Sequence, residues 1–158
     1  MTIELLTADA PAARLASLTA AFTALYQGMR AQGLHHELAQ GGADIWLKAQ
    51  LPMLGKLCCV ACAWEGDALL GFCAGVVRVG PAHLGSPRTG AITHIHVAPD
   101  GRGRGLGSAL YDACATWFRG RDVRAVELEV LAGNAEGRAF WEALGFTVHH
   151  VVMHRPLD

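Results

Sequence analysis

A chain of 158 residues has room for one domain with a full hydrophobic core and is short for two. Its 52% apolar and 17% charged residues exclude a disordered chain. A formal net charge of -1 provides no basic field and argues against nucleic acid as the main partner, and no apolar run approaches the ~20 residues that span a bilayer.

The opening residues, MTIELLTADA, carry no basic flank and no long apolar stretch. They do not read as a secretory signal, and a cytoplasmic location is expected. TIELLT reads as a short strand. In APAARLASLTAAFTALYQGMR, Leu15, Leu18, Phe22, Leu25 and Met29 fall three or four apart, which predicts a helix that Gly33 ends. A second helix is expected over roughly Glu37 to Leu51. KLCCVACAWEGDALLGFCAGVVRVG predicts a hairpin, two apolar runs joined at Glu65-Gly66-Asp67. GPAHLGSPRTG is a loop and AITHIHV a strand. LGSALYDACATWFRG is an amphipathic helix with Leu106, Leu110, Ala113 and Trp117 on one stripe. VRAVELEVL alternates as a strand, NAEGRAFWEAL is a helix stopped at Gly145, and FTVHHVVMHRPL predicts a final strand. There is no internal repeat and no linker, so residues 1–158 read as a single α/β (α+β) domain.

Five cysteines raise the question of metal or disulfides. Cys59 and Cys62 stand three apart in a predicted strand and so face opposite sides of the sheet. No second pair completes a zinc site, and the eight histidines lack a helical metal spacing. Buried, reduced thiols and no metal are expected.

The densest signal is Gly101 to Gly107, four glycines and two arginines between a strand and a helix. The first N–H groups of a helix have no intrahelical partner, and the helix dipole adds positive charge there. Glycine allows an anion close to the backbone and permits positive φ. Arg104 to Ser108 would offer successive N–H groups to a pyrophosphate, with Arg102 and Arg104 as countercharge. The run is not a nucleoside-triphosphate loop. It departs from a dinucleotide fingerprint at Ser108, and the hairpin before it does not suit a doubly wound nucleotide domain.

Arg102-Gly103-Arg104-Gly105-Leu106-Gly107 resembles the Arg/Gln-x-x-Gly-x-Gly/Ala signature of the GCN5-related N-acetyltransferase (GNAT) family, and it follows a strand ending in Val97 as in that family. LEVLAGNAEGRAFWEALGF resembles the family's second signature, with Asn134 before a helix and a closing Gly145-Phe146. The resemblance implies a mixed, mostly antiparallel sheet splayed into a V between the strand ending at Val97 and the strand at Glu127 to Val130, flanked by about four helices. It implies acetyl-CoA in that split, its pyrophosphate on Arg102, Gly103, Arg104, Gly105, Leu106, Gly107 and Ser108. It implies free backbone N–H near His96 and Val97, and a cofactor-arm contact at Asn134, which also suits an N-cap. The implied activity is acetyl transfer to a primary amine by direct transfer in a ternary complex. The acceptor would be a small molecule or peptide, lined by Met29 to Ile45 and Gly80 to Thr89. A second copy of the chain is allowed as a homodimer partner. The alternative is a non-catalytic acyl-CoA-binding or regulatory module on the same fold.

For a base, Glu129 is the best-placed carboxylate, with a structural glutamate as its plain reading; His94 and His96, on one strand face, are rivals, and water is another. The sequence departs from the family pattern at Trp141, which stands where many members carry a tyrosine that protonates the leaving thiolate. An indole N–H is no useful acid near neutral pH. Tyr26 is the substitute favoured over Tyr111, and Trp141 is expected to pack on the cofactor arm.

Overall fold

A computed structural model describes residues 1–157. Five strands lie side by side in the order of the chain: β1 Thr2–Leu5, β2 Cys58–Glu65, β3 Ala68–Val79, β4 Arg88–Val97 and β5 Val126–Leu128. The first three pairings are antiparallel and the last, β4 with β5, is parallel. Four helices flank the sheet: α1 Ala12–Ala31, α2 Gly42–Gln50, α3 Leu106–Arg119 and α4 Ala135–Ala143. The mixed, mostly antiparallel α/β architecture expected from the sequence is the one found.

The two central strands read as unbroken apolar runs because helices cover both their faces. Cys59, Ala61 and Ala63 of β2 enter one core with Leu106, Leu110, Phe118 and Trp141. Val60, Cys62 and Trp64 enter the other, with Leu18, Phe22 and Leu47 of the first two helices. Cys59 and Cys62 thus face opposite ways, and all five cysteines are free and buried. Burial pushes the Cys62 thiol up to about 12. Phe118 lies flat on the sheet over Gly75 and Gly90, where added Cβ atoms would stand 2.7 and 3.0 Å from its ring.

Three expectations need correction. The second helix begins at Gly42 rather than near Glu37, because Gly41 takes a left-handed φ of 67° that no helix can run through. The strand expected across VRAVELEVL is confined to Val126–Leu128, since β4 offers it partners only from Gly90 to Ile92. FTVHHVVMHRPL forms no strand. Its β-branched residues have the propensity but not a one-sided alternation, and no sheet edge pairs with them; Val151 and Met153 are 79% and 91% exposed.

Candidate active site

The glycine-arginine turn folds as a short 3-10 segment, Pro99–Gly101, followed by two glycines in left-handed conformation. Gly103 has φ 70°, and Gly105 has φ 71° and caps α3. A Cβ added at either would meet no atom within 4 Å, so both border open space at the first turn of the helix. Gly107 differs. A Cβ there would stand 3.1 Å from the Phe140 ring, so this glycine is required by the approach of α3 to α4. The arginines divide as well. Arg104 binds Glu65 at the end of β2, Nη2 to Oε1 at 2.7 Å, and its guanidinium holds the Glu65 carboxyl below its usual range. Arg102 has no carboxylate partner among the described residues. Its charge reaches His96: burial first, then Arg102, lowers that imidazole's pKa.

The strand behind this turn is bent. Opposite Gly75, β4 carries an extra residue at Ile92-Thr93, a bulge. Up to Ile92 the strand pairs with β5, ending at Ile92–Leu128; past the bulge the two separate. Which backbone groups face the gap follows from the ladder. The Ala98 N–H donates to the Leu70 carbonyl at 2.8 Å. Bonded pairs recur every second residue in an antiparallel ladder, so Phe72–His96 and Ala74–His94 share that phase. His94 and His96 therefore spend their backbone groups on β3. Ile95 and Val97 turn theirs toward the opening. Of the positions expected to offer free N–H groups, the register gives that geometry to Val97, with Ile95 in place of His96.

The side chains of His94 and His96 do share a face, as alternation requires. It is the face covered by α1 and α2, and it is aromatic. The His94 ring lies 4.8 Å from Phe22, 5.9 Å from Tyr26 and 5.7 Å from Trp46, centroid to centroid, and His96 lies 6.3 Å from Phe72. This enclosure depresses the His94 pKa to about 4, entirely by loss of water. The Tyr26 hydroxyl is 3.3 Å from His94 Nε2, and Thr93 Oγ1 is 3.0 Å from Nδ1. Tyr26 also lines an open groove of about 490 Å³ between α1 and residues 36–44, which Thr23, His36, Glu37 and Asp44 help line. His83 and Arg88 of the 80–89 loop are not among its lining residues. Trp46, Phe72 and Thr93 are the members of this cluster that the sequence did not single out, and spacing placed Phe22 only on the α1 stripe. Three of them look like ordinary core residues in the sequence.

The Acetyltransferase (GNAT) family profile matches residues 19–146 of this chain. The chain belongs to the GNAT acetyltransferase family. A mycothiol acetyltransferase of Beutenbergia cavernae is 48% identical over 59 residues, 37% of this chain and 20% of that protein. One of Geodermatophilus obscurus is 36% identical over 89 residues, 56% of this chain and 29% of that protein. The chain thus matches less than a third of the length of these two curated relatives. Among solved structures, a mutant protein of Bacillus halodurans superposes with a TM-score of 0.79 at 18% identity over 100% of both chains. An aminoglycoside N-acetyltransferase in complex with CoA superposes at 0.77 with 17% identity, covering 98% of this chain and 93% of that one.

In this GNAT domain the second signature is a helix start. Asn134 Oδ1 accepts the Gly137 N–H at 2.8 Å, the N-cap expected for α4. The Asn134 amide occupies the space a Cβ at Gly137 would need, 2.4 Å from its Nδ2. Trp141 is 6% exposed and enclosed by Phe140, Tyr111 and Phe146, with ring centroids 4.8, 5.6 and 5.2 Å away. Its ring belongs to the core beneath α3 and α4. Glu129 follows β5 on the far side of the opening and is exposed. Val126, Leu128 and Val130 pack into the α3 core. Alternation then turns Glu127 and Glu129 to the face that holds His94 and Tyr26. Glu127 pairs there with Arg78 at 3.8 Å, and Glu129 has no basic partner among the described residues. Tyr111 lies on the opposite face, against Trp141. No group of three metal-ligating side chains occurs among the described residues, and no helix is long and apolar enough to cross a membrane.

Proposed function

We propose that this domain transfers the acetyl group of acetyl-CoA to a primary amine on a small molecule or peptide, both bound at once. One observation carries the reading: a gap between β4 and β5 with a helix N-terminus at its mouth, where Gly103 and Gly105 leave open the volume a side chain would fill. That cradle suits a pyrophosphate. The N–H groups of Arg104 to Ser108 would hold it, with Arg102, unpaired among the described residues, as countercharge. The backbones of Ile95 and Val97 would pair with the pantetheine arm as an added strand does. They would also present N–H groups to the thioester oxygen.

Acetyl-CoA would supply an activated acyl carbon; the chain supplies position and proton acceptance. Glu129 stands across the gap, on the face of Tyr26 and His94, and is the group to take the proton from the amine. His94 is a poor base at neutral pH, since its pKa of about 4 lies far below the operating range. The names of the relatives and neighbours, mycothiol and aminoglycoside acetyltransferases, support a polar acceptor bearing an amine. The test is thiol release from acetyl-CoA with a panel of aminoglycosides, amino sugars, polyamines and peptide N-termini. Turnover with one of them is expected. CoA binding with no turnover on any of them would favour the non-catalytic binding module.

A further inference from the structure

One set of donors links the polar groups behind Tyr26 into a single chain. Thr93 Oγ1 donates its single hydrogen to the Ala74 carbonyl at 3.3 Å. In this set Thr93 Oγ1 accepts from His94, 3.0 Å away, and the imidazole proton sits on Nδ1. Nε2 is then a bare lone pair, and the Tyr26 O–H, 3.3 Å from it, donates inward. The bulge at Ile92-Thr93 is what places a hydroxyl beside the imidazole, and Phe22 and Trp46 pack against the half-buried ring.

We infer that Tyr26 serves the acceptor amine as a hydrogen-bond acceptor, its oxygen lone pairs turned toward the groove by the Ala74–Thr93–His94 chain, and that His94 is a positioning residue. What Tyr26 binds rests on the acetyl-transfer reading; the orientation of the relay does not. Tyr26 lines the groove that runs between α1 and residues 36–44, so an amine there would donate one N–H to the Tyr26 oxygen and keep its own lone pair for the acyl carbon. As the C–N bond forms and the C–S bond breaks, the nitrogen gives a proton to the Glu129 carboxylate. The C–S electron pair leaves on sulfur, which takes a proton from water. Tyr26 is not the acid for that sulfur. Its hydrogen is committed to His94 Nε2, away from the groove.

Two measurements test this. The first needs no activity. Imidazole 15N NMR of the whole chain is expected to show His94 protonated at Nδ1 and bare at Nε2, with the Nε2 resonance moving in Tyr26→Phe. An Nε2-protonated ring, or an Nε2 signal indifferent to Tyr26→Phe, overturns the relay whether or not the protein turns over. The second uses an amine that the acetyl-CoA assay identifies as a substrate. Tyr26→Phe should lower kcat/KM for the amine about tenfold or more, with KM for acetyl-CoA unchanged. His94→Phe should cost as much, and the double variant no more than either. His94→Gln, whose amide oxygen can take the Tyr26 proton, should recover most of the loss. Multiplicative effects of the two Phe variants, or a Tyr26→Phe loss under threefold, would sink the assignment.

Discussion

Acid should weaken this fold through His94 in a window that the structure defines. The unfolded imidazole titrates near 6.5, whereas burial keeps the folded one neutral down to about 4. Between those values the unfolded chain holds the extra proton, so stability is complete above pH 6.5 and is lost as pH falls. With the folded value at about 4, a single site costs roughly 2 kcal/mol by pH 5 and about 3 kcal/mol by pH 4. His96, lowered in the same direction, adds to the slope. The assay is urea unfolding at half-unit steps from pH 7.5 to 4.5, on wild type and His94→Gln. Glutamine cannot titrate, so the variant should lose less stability on acidification, by about 2 kcal/mol at pH 5. Parallel pH profiles for the two proteins, or an NMR titration placing His94 near 6.5, would refute the reasoning.

The two glycines of the cradle should fail differently. Gly105→Val should weaken CoA binding at least about tenfold, and the stability it loses to strain at φ 71° should not return in Phe140→Ala, whereas Gly107→Val should lower Tm by roughly 3–10 °C by driving into Phe140, 3.1 Å from its Cβ, and Phe140→Ala should relieve it. Equal behaviour of the two in both assays would contradict the geometry. Glu129→Gln should lower kcat by about a hundredfold with KM for acetyl-CoA little changed; a loss under threefold hands the proton to water. Trp141→Ala should cost about 3–5 kcal/mol of stability by emptying its place among Phe140, Tyr111 and Phe146, while Trp141→Phe keeps most of both stability and kcat. If the Phe variant is folded but inactive, the indole N–H has a chemical role.

Local rules made the glycine-arginine turn, the buried central hairpin, the α1 stripe and the Asn134 cap legible in the sequence, because each depends on residues a few positions apart. Propensity also told which segments could be strands. It could not tell which would find a partner, and so FTVHHVVMHRPL remained unpaired and β5 closed after three residues. Roles set by long-range neighbours were decided only by the tertiary structure. Arg104 is drawn to Glu65, 39 residues away, while Arg102 has no carboxylate partner among the described residues, and Gly107 serves Phe140 rather than a ligand. Tyr26 and His94 lie 68 residues apart, and only the packing of α1 across the bulged β4 brings them together. The same packing takes His94 out of water. An imidazole that would titrate near 6.5 on an open strand becomes one held at about 4, and with it goes its fitness as a base.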